Sequence, residues 1–245
     1  MSETSGKPTS ARSARFPRRF YKEASVGKHE AGFAIFLDGR LAKTPVGNPL
    51  AVGSQRVAEA LAAEWAAQGE RLDPAAMPLT RIVNSAIDGV SREMDAVRAD
   101  IVRHAGSDLV CYRAGGPEGL VAKQEAAWAP LLAFAREALG ARFVLAEGVM
   151  HVEQSPEALA AVDRALTGYD ALSLAAIHTV TTLTGSAVIA LALARHQVSA
   201  EEAWTAAHVD EDWQMSQWGK DEQALTRRAR RWREMEAASA ILAAA

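Results

Sequence analysis

The side chains best suited to chemistry crowd into residues 204–219, WTAAHVDEDWQMSQWG, where three of the chain's six tryptophans surround three consecutive acids. Advancing 100° per residue along a helix puts Trp204, His208, Glu211, Met215 and Trp218 in one stripe, with Asp210 and Gln214 on its flank. Val209 and Trp213 project from the opposite side. An ordinary surface helix hides one apolar face and wets the other. Large apolar groups on both sides mean a helix either sandwiched in the fold or presented to another molecule. Rings supply contact area and carboxylates fix register, so the chemistry on offer is recognition of a protein surface.

Candidates for bond chemistry are sparse. AGGPEG at residues 114–119 lacks the spacing of a P-loop or a dinucleotide fingerprint, and no H-E-x-x-H or G-x-S-x-G occurs. Asp100, His104 and Asp108 recur four residues apart, but one helix would have to run through Gly106-Ser107 to align them, so ion pairing is the reading preferred here. His178 lies among apolar residues and reads as a satisfied core histidine. The single cysteine, Cys111, excludes an internal disulfide framework and has no nucleophile signature around it. Catalytic residues, metal ligands and cofactors are therefore expected to be absent; a small enzyme with a dispersed, motif-free active site is the alternative. The basic run TRRARRWRE at residues 226–234 faces an acid-rich stretch at 201–222, which predicts antiparallel docking of two helices rather than nucleic-acid binding.

Composition constrains the frame that positions these groups. At 245 residues, 49% hydrophobic and 23% charged, the chain fits a globular protein with one sizeable core or two small ones. Its net charge of −3 gives no support to general nucleic-acid binding. Residues 1–18 are rich in Ser, Thr and Arg, with Glu3 their only acid. They read as a disordered tail or, alternatively, a mitochondrial transit peptide; no apolar secretory region is present. The expected location is the bacterial cytoplasm, with the mitochondrial matrix as the alternative. Residues 171–194 carry no charge over a length that would span a bilayer. Four threonines, two serines, His178 and Gly185 dilute them, so they read as two buried helices broken near 184–186, without stable membrane insertion.

Residues 19–70 form a β-rich N-terminal domain leading into the first helix. FAIFLDGR at 33–40 ends on Asp38-Gly39, a hairpin signal, and LAKTP returns as the next strand. Segments 21–26 and 50–52 supply further strands, and Ser54 caps a helix carrying Val57, Leu61 and Trp65. Residues 71–245 read as a larger all-helical domain. Its helices start near 78, 91, 120, at Ser155-Pro156, at Ser199 and at 221, with a kink expected at Pro130. Residues 141–154 read as two short strands or an extended connector. The fold class is α+β by segregation.

Seven motifs occur in a fixed order: RFYK (19–22), LDGR-x-x-KTP (37–45), EWAAQ (64–68), MPLT (77–80), DLVCYR (108–113), W-x-P-L-L (128–132) and EDWQ-x-x-x-WG (211–219). In these the chain resembles the Atp-twelve family of ATP-synthase assembly chaperones, over about residues 19–242. The resemblance implies a β-containing N-terminal domain joined to a helical one. It implies a protein that acts without nucleotide or metal and binds the free alpha subunit of the catalytic sector before beta joins. It also implies that the acid preceding W-Q and W-G is functional, here Asp210 with Glu211 beside it. The expected contact set is Asp210, Glu211, Trp213, Gln214 and Trp218, anchored by Trp213 or by the Trp204/Trp218 stripe, on a monomer. Trp65 is expected to be structural, its ring facing the domain core. A plainer reading keeps the tryptophans in the core and pairs the acids with arginines such as Arg227 or Arg231.

Overall fold

The computed structural model describes residues 16–148, 150–219 and 221–244. They divide between Asn84 and Ser85 into two compact units, inside a helix rather than at residue 70. The tail expected at 1–18 lies outside the described residues except for its last three. Those three belong to the first unit, because Leu72 N–H donates to the Pro17 carbonyl at 3.0 Å and Arg71 to that of Phe16 at 2.5 Å.

The first unit is built on an antiparallel sheet. Strand β1 (Ala24–His29) pairs with β2 (Gly32–Leu37), which also pairs with β3 (Arg40–Leu41) and β4 (Ala51–Val52). The β2–β3 turn falls on Asp38-Gly39 as expected. Both have positive φ, 48° and 77°, which the short Asp side chain and the missing Cβ of Gly tolerate. Helix α1 (Gln55–Ala66) lays Val57, Ala58, Leu61 and Ala62 onto β1 and β2. With Ile35 and Leu50 they form the core, each large side chain contributing about 1.5–3 kcal/mol on burial.

Two of the sequence motifs act together here. The Glu64 carboxylate accepts from Leu79 N–H at 2.9 Å and Thr80 N–H at 2.8 Å, and from the Thr80 hydroxyl at 2.6 Å. That satisfies free donors in the first turn of α2 (Pro78–Asp88) and places a negative charge at its positive end. Gln68 is buried and accepts from Asp73 N–H at 2.9 Å. The EWAAQ and MPLT signatures thus lock a helix end.

The second unit is helical. It comprises α3 (Met94–Ala105), α4 (Glu118–Phe134, ending in a π-turn at Ala135–Leu139), α5 (Pro156–Leu166), α6 (Ala171–Thr184), α7 (Ala187–Ala194), α8 (Ala200–Ala207), α9 (Val209–Trp218) and α10 (Glu222–Leu242). Its strands β5 (Tyr112–Arg113) and β6 (Ala146–Glu147) are parallel and two residues long, so the 141–154 segment is mostly connector. The uncharged stretch breaks where expected: Gly185, at φ 70°, ends α6, and the Ser186 hydroxyl caps α7 through Ile189 N–H at 3.0 Å. Helix α7, AVIALALA, is buried almost all round and forms the centre of the unit. Among the described residues no helix is long and apolar enough to cross a membrane.

Some expectations change. Helix α3 stops at Ala105, so Asp108 leaves the Asp100–His104 face. Asp108 is fully buried and accepts from Val110 N–H at 3.3 Å and Val188 N–H at 3.1 Å, holding the start of α7. Burial pushes its carboxyl up to about 6 against the pull of those donors and of Ser186. His178 is not a core residue but a half-buried one, with Nε2 2.8 Å from Asp100 Oδ2. This hydrogen bond is the main cause holding the Asp100 carboxyl below its usual range. Helix α10 buries Met235, Ala238 and Ile241 against α6, α7 and α8, and meets the acid-rich stretch through Arg228 and Asp212. Hydrophobic burial supplies most of the energy of that packing, and the ion pair adds little.

Candidate partner-binding surface

The stripe expected on one continuous helix is cut at His208, whose backbone leaves the helical region between α8 and α9. Its Nδ1 lies 2.7 Å from the Trp204 carbonyl oxygen, so that nitrogen carries the proton and donates. The His208 ring packs on Trp204 at 4.0 Å, and Trp204 meets Trp232 at 5.4 Å. Trp204 is therefore core, and the Trp204/Trp218 stripe does not exist as one surface. His208, 2% exposed, is held below its ordinary pKa chiefly by burial, with Arg228 and Arg231 adding to the effect. Trp128 closes the same core, its Nε1–H donating to the Ala206 carbonyl at 2.7 Å.

Helix α9 sends its three acids in three directions. Asp210 is half-buried and its Oδ1 accepts from Gln124 Nε2 at 2.7 Å. Gln124, on α4, is itself buried and takes Ala114 N–H on Oε1 at 2.8 Å. Asp212 pairs with both terminal nitrogens of Arg228 on α10, and this pairing is the main cause that raises the arginine pKa. Glu211 lies between them and is exposed; the nearest charge partner is His208 Nε2, 3.9 Å away.

Trp213 is half-buried against α4. A Cβ added at Gly119 would meet its ring at 2.7 Å, and Lys123 Nζ sits 5.7 Å from the ring centroid. This close approach fixes why a glycine opens α4. Gln214 and Trp218 are exposed, and Trp218 to the extent of 81%. With Glu211 and Met215 they form one wall of a groove of about 370 Å³, whose other wall is Ala224, Arg227 and Arg231 of α10. Arg231 also donates to the Leu183 carbonyl at the end of α6.

The expected contact residues therefore separate. Glu211, Gln214 and Trp218 share one accessible surface, whereas Asp210 and Trp213 hold α9 onto α4. Gln124, Gly119 and Arg228 belong to the site and were not found from sequence. Gln124 looks like any polar residue of an amphipathic helix, and the arginine pairing expected at Arg227 or Arg231 is made by Arg228. Trp65 lies in the first unit, half-buried rather than enclosed, with its ring 5.7 Å from Tyr21.

The surface is suited to gripping a partner's side chain. Burial pushes the Cys111 thiol up to about 12, which keeps it protonated at neutral pH. Among the described residues no group of three His, Cys, Asp or Glu side chains could hold a metal ion. An exposed indole beside an apolar floor, with a free carboxylate and arginines around it, can bury a partner's side chain and select its charge.

Comparison with known proteins agrees with the motif order. The family model described as ATP12 chaperone protein matches residues 18–136. The Atu1473 protein of Agrobacterium tumefaciens superposes with a TM-score of 0.89 and 51% identity, over 94% of this chain and 86% of that one. Atp12 from Paracoccus denitrificans gives 0.84 and 38%, over 92% and 97%; an aspartate-to-lysine mutant of the same protein matches similarly. The mitochondrial protein atp12 of Schizosaccharomyces pombe is 24% identical over 84% of this chain and 75% of its own length. The chain belongs to the ATP12 family of chaperones.

Proposed function

We propose that this chaperone serves ATP synthase assembly, binding the free alpha subunit of the catalytic sector and covering it until the beta subunit takes its place. The observation that carries the reading is Trp218, 81% exposed at the end of a helix whose other large rings are packed. An unassembled subunit exposes apolar surface that its neighbour later covers, and such patches aggregate. Trp218 and Met215 offer replacement cover, while Glu211 and the arginines opposite select by charge and exchange readily with a competing partner. No nucleotide or metal is needed for such a cycle. It runs where the catalytic sector is built, in the bacterial cytoplasm or the mitochondrial matrix.

Co-expression tests this. The alpha subunit, aggregating alone, stays soluble with the chaperone, and beta serves as the control client. The double variant Glu211→Lys/Trp218→Ala keeps its thermal transition, since both side chains are exposed, and loses protection of alpha. If that variant protects alpha as well as the parent does, the α9–α10 groove is not the client site.

A further inference from the structure

The first unit has an open groove of about 630 Å³, inside the range of roughly 300–1,000 Å³ typical of ligand clefts. Its lining includes Phe20, Tyr21, Trp65 and Leu41, with Arg40 and Lys43. Phe20 is 71% exposed, yet its ring is fixed edge-on against Tyr21 at 5.4 Å, and Tyr21 tilts against Trp65 at 5.7 Å. The middle ring of the ladder is tied down. Tyr21 Oη donates to the Trp65 carbonyl at 2.7 Å, and Arg19 donates to the carbonyls of Tyr21 and Gln68 at 3.0 and 2.5 Å. Such preorganisation lowers the entropy lost when a partner binds.

The lining carries one more cation than acid. Asp38 is the acid in the lining, and its carboxylate already accepts from the Lys22 and Glu23 N–H groups at 3.0 and 2.9 Å. Arg40 and Lys43 are exposed and have no ion-pair partner among the described residues. Trp65 has its Nε1–H buried with no acceptor, a group that native structures normally satisfy. We propose that this groove binds an acidic, extended segment of a protein partner, an apolar side chain lying on the Phe20–Tyr21–Trp65 ladder and carboxylates meeting Arg40 and Lys43. Two cations on a chain of net charge −3 are too few to track a nucleic-acid backbone, which favours the acidic peptide.

Fluorescence anisotropy with the full-length chain tests it, using a labelled nonapeptide with one phenylalanine among aspartates and glutamates. Its counterpart has lysines at every acidic position. The acidic peptide binds, the lysine peptide does not, and added salt weakens the complex. Arg40→Glu/Lys43→Glu and Phe20→Ser each weaken binding by about tenfold or more, whereas Trp218→Ala leaves it unchanged. All three positions of the first two variants are exposed, so their thermal transitions stay at the parent value. The inference is overturned if the acidic peptide fails to bind, if the lysine peptide binds equally, or if Trp218→Ala abolishes binding. Tighter binding of an oligothymidylate would overturn it in favour of single-stranded nucleic acid. A concentration-dependent dimer that Phe20→Ser abolishes would overturn it by showing that a second copy covers the groove.

Discussion

Replacing Asp210 and Glu211 one at a time separates holding the helix from gripping a partner. In Asp210→Ala the Gln124 Nε2–H, on a side chain only 2% exposed in the parent, loses its acceptor at 2.7 Å. An orphaned buried donor, with loss of a helix N-terminal carboxylate, costs about 2–3 kcal/mol. For a chain of this size that lowers the thermal midpoint by roughly 4–12 °C. Glu211→Lys, by contrast, touches an exposed side chain whose nearest charge partner is 3.9 Å away, and moves stability by no more than about 0.5 kcal/mol. Circular dichroism melts of both variants measure the difference. The mechanism is checked by Gln124→Leu, which removes the donor. In that background Asp210→Ala costs less, with a coupling of about 1–2 kcal/mol. Equal midpoints for the two single variants, or strict additivity with Gln124→Leu, would refute the assignment of Asp210 as the residue that holds α9.

Three further outcomes follow from close contacts. Gly119→Ala sets a methyl 2.7 Å from the Trp213 ring; despite a helix-propensity gain near 1 kcal/mol, the clash makes the variant less stable by about 1 kcal/mol and shifts Trp213 fluorescence. Asp108→Ala strips the acceptors from Val110 and Val188 N–H groups and lowers stability by about 3–5 kcal/mol, read as a lower urea midpoint at unchanged m. His208, whose folded pKa lies below its ordinary 6.5, takes up a proton more readily unfolded, so it removes stability as pH falls below 6.5. Asp108, raised to about 6, acts in the opposite sense, losing stability as pH rises through that value. The comparison is therefore made against His208→Phe, which keeps a ring on Trp204. The parent loses more stability than this variant between pH 7 and 5, and parallel curves would remove His208 as the cause.

What could be read from the sequence was whatever depends on local pattern. The Asp38-Gly39 turn and the break at Gly185 rest on positive-φ backbone that few residues accept, and Ser155 starts its helix by accepting from Ala158 N–H at 3.1 Å, whereas Ser54 stands at the start of α1 without a side-chain cap bond. Segregation of strands from helices followed from the change of period. What could not be read depends on which face meets which. The break at His208 has no glycine or proline to announce it. There a buried imidazole takes the Trp204 carbonyl, the acceptor that the His208 N–H would use in a continuing helix, while that N–H turns to the Thr205 carbonyl at 3.2 Å. The same limit hid Gln124, whose importance lies 86 residues away at Asp210. It also misplaced Trp65, since a ring on an amphipathic helix is as readily half-open to a groove as closed in a core.

The three consecutive acids explain how a short helix can present a surface without drifting. Residues one apart on a helix point 100° away from each other, so Asp210, Glu211 and Asp212 cannot serve the same partner. Asp210 is bound to α4 through Gln124, and Asp212 to α10 through Arg228; these lie on either side of Glu211. Trp213 adds an apolar fixing to α4 against Gly119. With both flanks held, the remaining arc, through Glu211, Gln214, Met215 and Trp218, is carried at a fixed orientation. A helix of ten residues does not hold itself in water. Its rigidity comes from those flanking bonds, and a rigid exposed indole loses less entropy on binding than a mobile one. On the proposed function, a substitution that frees a flank therefore weakens client binding through Trp218 without touching that residue.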